Sequence, residues 1–309
     1  MNALGIDLGG SKIEAVVLGA DGVQRWRRRI TTPAAGYDAT LAALAALVAE
    51  AESEGDAAGH GPFSIGIGTP GTLTAGGLMK NSNSLCLNGR PLQRDLAALI
   101  GRPVALANDA NCLALSEATD GAGAGAAVVF AAILGTGTGA GIAVHGRVLG
   151  GPNGLAGEWG HNPLPWAHAG ADPLFACYCG QRGCIETLLS GPGLARDHAA
   201  LHGGDLGAEQ IAQQAGAGDA ACAATLERHA NRVARALASV VNLLDPDVIV
   251  LGGGLSRMAH LYERVPALWG QWVFSGGVQE AVRTALRPAR HGDASGVRGA
   301  AWLGRSLSP

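Results

Sequence analysis

A chain of 309 residues is long enough for two domains of ordinary size, each with its own core. Hydrophobic residues make up 48% and charged residues only 15%, which excludes a disordered chain. A net charge of −3 provides no basic field for a phosphate backbone and excludes nucleic acid as the main partner.

Ala3 to Leu8 is the first apolar stretch. It carries Asp7 and runs into a glycine turn, so it reads as a strand and not as a secretory signal. Residues 4–18 then follow a plan of strand, glycine turn (Asp7-Leu8-Gly9-Gly10-Ser11-Lys12) and alternating strand. Arg25, Arg27, Arg28 and Arg29 flank a strand-like segment and read as a solvated edge. Leu41, Leu44, Leu47 and Val48 mark an amphipathic helix, followed by a strand over Ser64–Gly68 that ends at Thr69-Pro70-Gly71. Pro91–Ile100 reads as a helix, Val104–Ala107 as a strand and Asn111–Thr119 as a helix, with a soft domain boundary between Thr119 and Ala126. Asn108 and Asp109 therefore sit at the carboxyl end of a strand, the edge where ligands collect in α/β sheets. An aspartate there can take the proton of an alcohol attacking phosphorus, while the asparagine holds a neighbouring hydroxyl. An Asn-Asp pair before a helix equally serves as its cap.

The apolar run Ala126–Leu134 is the longest in the chain and too short to span a bilayer, so no membrane partner is expected. Residues 128–144 repeat the opening plan around Gly135, Thr136 and Gly137. No helix enters after either turn, which excludes a dinucleotide fingerprint, and no Gly-Lys-Ser/Thr triplet supplies a P-loop. What remains is a pair of tight hairpins. Their bare backbone N–H groups can cradle phosphate, with Asp7 placed to order a magnesium ion. Between Glu158 and Glu186, one histidine, three cysteines and two carboxylates are embedded in glycine. His161, Cys177, Cys179 and Cys184 form a one-nitrogen, three-thiolate set suited to a structural zinc, which would draw Glu158 and Glu186 toward one place. The competing reading is three separate buried thiols beside a surface histidine. The remaining cysteines, Cys86, Cys112 and Cys222, read as packing thiols in a reducing compartment, so the expected location is the cytoplasm. Ala220–Leu244 reads as a long helix, Val248–Leu251 as a buried strand, and Ser256–Trp272 as a helix capped by Ser256. Between the last two, Gly252, Gly253 and Gly254 open a turn that a nucleoside can approach. The alternation of strands and helices in both halves is that of an α/β protein with mixed sheets.

Taken together, the Asp7–Lys12 turn, Asn108-Asp109, Gly135-Thr136-Gly137, Glu158-Trp159-Gly160-His161, the Cys177–Glu186 run, Leu251–Gly254 and the His291–Ala301 segment resemble the ROK family of sugar kinases and repressors. The resemblance covers essentially the whole chain. It implies the actin-like ATPase (ribonuclease H-like) fold, two similar lobes with mixed β-sheets around a central cleft. The first lobe would be 1–120 plus 293–309, with a last helix at Ser295–Arg305, and the second 121–292. By the same resemblance Asp109 is the general base, and Asn108, Glu158, His161 and Glu186 grip sugar hydroxyls, His161 using one ring nitrogen for zinc and the other for sugar. Magnesium-ATP would lie on Asp7, Gly9, Gly10, Ser11, Lys12, Gly135, Thr136 and Gly137, with its adenosine at Gly252–Gly254, and the chain would form a homodimer. Ser11 stands where the family usually has threonine and keeps the hydroxyl. Lys80–Ser84, Leu87–Pro91 and Gly157–Trp166 look most like bacterial fructokinases, which implies phosphorylation of fructose at the 6-hydroxyl, with Asn81 or Asn83 touching the sugar. The alternatives within the family are N-acetylglucosamine kinases, glucokinases and non-catalytic sugar sensors. Its repressors carry a helix-turn-helix ahead of the first glycine turn, for which eight preceding residues leave no room.

Overall fold

A computed structural model describes residues 1–57, 63–278 and 280–306. The chain divides into two compact units, one of residues 1–125, 141–156 and 293–309, the other of 126–140 and 157–292. Residues 141–156, expected in the second lobe, group with the first unit. Gly141 lies so close to Ala110 that a side chain there would collide with its carbonyl, and the Lys80 Nζ donates to the Asn153 carbonyl at 2.7 Å.

In the first unit, β1 (Ala3–Leu8) pairs antiparallel with β2 (Lys12–Leu18), and β2 with β3 (Gln24–Thr31). Helix α1 (Tyr37–Ala57) crosses to β4 (Ser64–Thr69), which lies parallel to β1; the short β5 (Thr72–Leu73) and β6 (Met79–Lys80) then form a small hairpin. Next come α2 (Leu92–Ile100), β7 (Ala105–Asn108), parallel to β4, and α3 (Asp109–Thr119). The sheet order is β3-β2-β1-β4-β7. β1 and β2 are almost wholly buried because the sheet is covered on both faces. On one face Leu44, Leu47, Val48 and Ala51 of α1 pack on Leu4, Ile6 and Ile67. On the other the backbones come close: side chains at Gly5, Gly66 and Gly299 would collide with carbonyls of Val297, Ala300 and Cys112. The arginine-rich β3 is the sheet edge, as expected. Arg27 and Arg29 reach across to the buried Glu14, at 2.6 and 2.5 Å.

The second sheet comprises β8 (Val128–Leu134), β9 (Thr138–Val144), β10 (Arg147–Val148), β11 (Val248–Gly252) and β12 (Ala285–Pro288), in the order β10-β9-β8-β11-β12. This is the strand order of the first sheet over again, an antiparallel hairpin with a third antiparallel strand outside and two parallel strands added on the other side. The helices are α4 (Glu186–Leu189), α5 (Gly191–His202), α6 (Ala208–Gly216), α7 (Ala220–Leu244) and α8 (His260–Trp269). α9 (Ser295–Arg305) returns to the first unit. α7 starts where Asp219 accepts from the Cys222 N–H at 2.8 Å and stops at a left-handed Asp245 before Pro246.

α7 buries Arg232 and Arg235 on a face that is apolar apart from Thr225 and His229. Asp172 is 7% exposed and neutralises both: its carboxylate lies 2.8 Å from Arg232 Nε and from Arg235 Nη1, and 2.9 Å from Arg235 Nη2. Asp197 takes the other side of Arg232 at 2.9 Å and also meets Arg228. The arginines hold the Asp172 carboxyl well below the usual range against the opposing effect of burial.

Several expectations are corrected. α3 begins at Asp109 because Asn108 caps it, accepting from the Ala110 N–H at 2.9 Å. Residues Ser256–Trp272 do not form one helix. Gly254–Arg257 closes a 3₁₀ turn in which the Ser256 hydroxyl donates back to the Gly253 carbonyl at 2.7 Å, so Ser256 caps nothing and α8 starts at His260. Cys112 and Cys222 are buried as expected, but Cys86 is exposed, its neighbour Leu87 taking the interior place. Among the described residues no helix is long and apolar enough to cross a membrane.

Replacing Arg232 with Met leaves Asp172 and Asp197 short of a buried partner. The expected loss is about 3–5 kcal/mol, read as a shift in the urea midpoint. His229, fully buried, donates from Nε2 to the Leu189 carbonyl at 3.0 Å, and burial pushes its pKa down to about 4. Below pH ~6.5 the unfolded state therefore binds the extra proton. Stability present above that pH is lost as pH falls toward 4, by about 3 kcal/mol. His260 is shifted the same way; Asp7, raised to about 6, acts in the opposite sense within the same window, and Asp172 acts below it. His229→Gln should flatten the stability profile between pH 4 and 6.5 in denaturant titrations.

Candidate active site

In the first unit, Asp7 lies one residue before the end of β1, opposite Gly68 of β4, and β7 delivers Asn108 to the same sheet edge through the Thr69–Asn108 register, with Asp109 following at the start of α3. The first glycine turn closes with the Gly9 N–H on the Lys12 carbonyl at 2.9 Å. Thr32, from the end of β3, secures it by donating from its hydroxyl to the Gly9 carbonyl at 2.7 Å. Gly10, Ser11 and Lys12 are exposed on that turn. Burial raises the Asp7 pKa to about 6, and the nearby charges of Asp109 and Glu14 push the same way. Gly68 and Gly296 leave room around its carboxylate. Two crowded carboxylates with small neighbours fit a divalent cation, which would relieve their repulsion. Cys112 lies beneath them, its thiol held neutral mainly by burial.

Asn108 has both ends of its amide engaged, accepting from Ala110 N–H and donating to the Gly71 carbonyl at 3.2 Å. Asp109 is half-buried, and its Oδ1 also accepts from Ala110 N–H, at 2.8 Å. The cap is thus chiefly Asn108's work, and Asp109 occupies the first helical position. Asn81 and Asn83 are exposed on either side of the buried Ser82, and Asn81 adopts a left-handed φ of 58°. Asn88, which sequence reasoning missed, holds that segment by bonding the Ser82 N–H and carbonyl, both at 2.9 Å.

In the second unit, Glu158 and His161 open and close one 3₁₀ turn. Trp159 anchors it, buried edge-on against Phe130 with its indole N–H on the Ala236 carbonyl at 3.2 Å. Gly160 presses on the Thr138 carbonyl, where any side chain would collide. Glu186 heads α4 and its Oε2 accepts from the Thr138 N–H at 2.9 Å. A Cβ on Gly137 would lie 2.7 Å from that oxygen. Gly135 is held from two sides, its carbonyl by the Gly191 N–H at 2.8 Å and its backbone by Gly253, whose φ is +80°. A Cβ on Gly253 would lie 2.5 Å from the Leu134 carbonyl. So the second and third glycine clusters form one backbone layer, with Gly253 and Gly254 exposed and Gly252 buried in β11. Beside it is a pocket of about 310 Å³ lined by Thr136, Cys177, Tyr178, Glu186, Ser190 and Arg196.

His161 Nδ1 and the sulfurs of Cys177, Cys179 and Cys184 all lie within 4.8 Å of one another. His161 Nδ1 is 3.6 Å from Cys177 Sγ, and Cys179 Sγ is 3.6 Å from Cys184 Sγ. Zinc bonds of about 2.1–2.3 Å give tetrahedral edges of about 3.5–3.8 Å, so the donor set fits the ion. Cys184 and His161 are brought together because Ile185 N–H bonds the Asn162 carbonyl and Pro163 bridges Cys184.

Two five-stranded sheets of the same order, each with a glycine hairpin at its centre, define the actin-like ATPase fold. The chain belongs to the ROK family, which it matches over residues 3–306. It is 40% identical to an N-acetyl-D-glucosamine kinase of Pectobacterium atrosepticum, over 97% of each chain. Among solved structures it resembles a ROK hexokinase from Thermus thermophilus, 35% identical with a TM-score of 0.83, over 98% of this chain and 97% of the other. It also resembles a ROK glucokinase from Streptomyces griseus, solved with glucose and AMPPNP, 28% identical with a TM-score of 0.74, over 99% of this chain and all of the other.

Cys179→Ser should abolish stoichiometric zinc in protein purified without chelator, measured by elemental analysis. Unchanged metal content would show that the four residues do not act as a set.

Proposed function

We propose that this chain is an ATP-dependent kinase that phosphorylates a hydroxyl of N-acetylglucosamine. It is a sugar kinase of the ROK family, and the observation that supports the N-acetylated sugar is the 40% identity to an N-acetyl-D-glucosamine kinase along the full length of both chains. Fructose, the expectation from Lys80–Ser84, Leu87–Pro91 and Gly157–Trp166, rests on short segments only, and the whole-chain likeness favours the alternative. The cytoplasm remains the proposed location and a homodimer the proposed assembly.

Asp109 acts as the general base, taking the proton of the attacking sugar hydroxyl, which is worth ~10²–10⁴-fold in rate. Its place at the start of α3, with Oδ1 accepting from the Ala110 N–H, fixes the orientation of the carboxylate. Asn108, Glu158, His161 and Glu186 orient the sugar, with Asn81 and Asn83 as further contacts. The nucleotide phosphates are received by the turns at Gly9, Gly10, Ser11 and Lys12 and at Gly135, Thr136 and Gly137, and the adenosine by Gly252–Gly254. Alignment and charge stabilisation supply most of the rate of such a transfer. Asp7 would hold the magnesium that accompanies ATP, which would supply charge stabilisation for the transferring phosphoryl group. His161, Cys177, Cys179 and Cys184 would hold a structural zinc, which would serve to fix Glu158 and Glu186.

ADP release is to be compared with N-acetylglucosamine, N-acetylgalactosamine, glucose, mannose and fructose side by side. The highest kcat/KM is expected for N-acetylglucosamine. Preference for fructose would restore the other branch, and no turnover with any sugar would sink the kinase reading. Asp109→Asn should lower kcat by at least ~10²-fold while sugar binding, followed by calorimetry, stays near wild type.

A further inference from the structure

Asn81 and Asn83 lie in a stretch of chain that has no strand or α-helix of its own, between β6 and α2. Its neck is closed by two backbone bonds: the Met79 N–H meets the Arg90 carbonyl at 2.9 Å, and the Gly89 N–H meets the Met79 carbonyl at 2.8 Å. Inside the loop a single side chain spans it. Asn88 accepts from the Ser82 N–H through Oδ1 and donates to the Ser82 carbonyl through Nδ2, both at 2.9 Å. An adjacent strand would give one residue the same pair of bonds. Ser82 is 4% exposed, and its hydroxyl accepts from the Ser84 N–H at 3.1 Å.

The clamp leads on to the sheet edge that carries Asp109. Ser82 sits against Gly71, where a Cβ would lie 2.7 Å from the Ser82 nitrogen and 2.4 Å from the Lys80 carbonyl oxygen. Gly71 also has a φ of +79°, so the position calls for glycine on two counts. Its carbonyl accepts from Asn108 Nδ2 at 3.2 Å. Asn88, Ser82, Gly71 and Asn108 are thus consecutive contacts, the last of them the cap directly before Asp109. Asn81, with its left-handed φ of 58°, and Asn83 are exposed on either side of Ser82, so the two peptides that Asn88 holds set where their amides project.

We propose that Asn88 is a positioning residue for the sugar: by locking the peptides on both sides of Ser82 it keeps the Asn81 and Asn83 amides in one arrangement relative to Asn108. This rests on reading Asn81 and Asn83 as sugar contacts, and it goes further in naming what pre-organises them. A ligand that requires one conformer binds more weakly in proportion to that conformer's population. Losing a two-bond clamp lowers the population, because the left-handed Asn81 is a conformation that a free loop seldom keeps. The reacting end is held separately, by the Asp109 Oδ1 on the Ala110 N–H at 2.8 Å. Asn88 therefore governs sugar capture and not the transfer step.

The test uses the full chain as wild type, Asn88→Ala, Asn81→Gly/Asn83→Ala and the triple variant, with the sugar that wild type turns over best. Asn88 is exposed and its φ of −62° and ψ of 133° suit alanine, while Asn81→Gly keeps the left-handed backbone. Asn88→Ala is expected to raise the sugar KM about 10-fold while kcat and the KM for ATP stay within about twofold of wild type. In the triple variant the loss of Asn88 should change kcat/KM by less than about twofold, since no amides are left for it to place. A wild-type sugar KM in Asn88→Ala would overturn the inference, and so would the same loss repeated in full in the triple variant. A fall in kcat with KM unmoved would overturn it too, since a loosened unit and not a misplaced sugar contact would be the cause. If wild type turns over no sugar, the kinase reading fails instead. Calorimetry with N-acetylglucosamine, glucose and fructose then decides the role of Asn88 by itself. Weaker sugar affinity in Asn88→Ala supports it; equal affinity, or none in either protein, refutes it.

Discussion

The buried carboxylate of Asp172 ties the segment between His161 and Cys177 to α7 of the second unit. Asp172 lies between His161 and Cys177 in sequence, in a stretch of the chain without helix or long strand. Its two oxygens meet Arg232 and Arg235 of α7, and the Trp166 and Ala171 carbonyls take further N–H groups of the same arginines. Unpaired charges in such a place would be costly, so the network holds only if all its members are present. A segment that could not build its own core is in this way fixed against one that can. Cys177 and Cys179, next along the chain, and the turn carrying Glu158 and His161 flank that anchored stretch.

In the first unit the corresponding constraint is the absence of side chains. Gly5, Gly66 and Gly299 let β1, β4, α3 and α9 approach backbone to backbone, closer than any Cβ permits. That approach leaves Gly296, in the first turn of α9, beside the Asp7 carboxylate, with Asp109 close enough to raise its pKa. Crowding of like charge in a partly desolvated place is what prepares such a pair for a cation. The second unit uses the same device on a smaller scale, where Gly253 packs on Leu134 and Gly160 on Thr138.

Much of this was legible in the chain. Both hairpins and the 25-residue α7 follow from apolar periodicity bounded by turn residues, and such local signals survive folding unchanged, whereas the terminal α9 was implied by the family resemblance. The grouping of His161 with three cysteines followed from residue type and spacing. Where reading failed, a distant partner or a local competition had intervened. Ser256 has the residue type of a cap, but its hydroxyl turned to the Gly253 carbonyl. Cys86 sits among apolar neighbours, yet a 3₁₀ turn gave the interior to Leu87. The fructose expectation came from short loops, and loops vary within a family more than the elements they join.

The sequence by itself determined the α/β class, the doubled glycine hairpin and the grouping of His161 with Cys177, Cys179 and Cys184, because each depends on residues near one another in the chain. Only the tertiary structure decided that Glu186 spans the second turn through the Thr138 N–H, that Asp172 braces the metal segment, and that Tyr178 lies on the back of His161. Those contacts join residues 48, 60 and 17 positions apart. They arise from where packing brings the chain back on itself, and no local pattern of residue types encodes that distance.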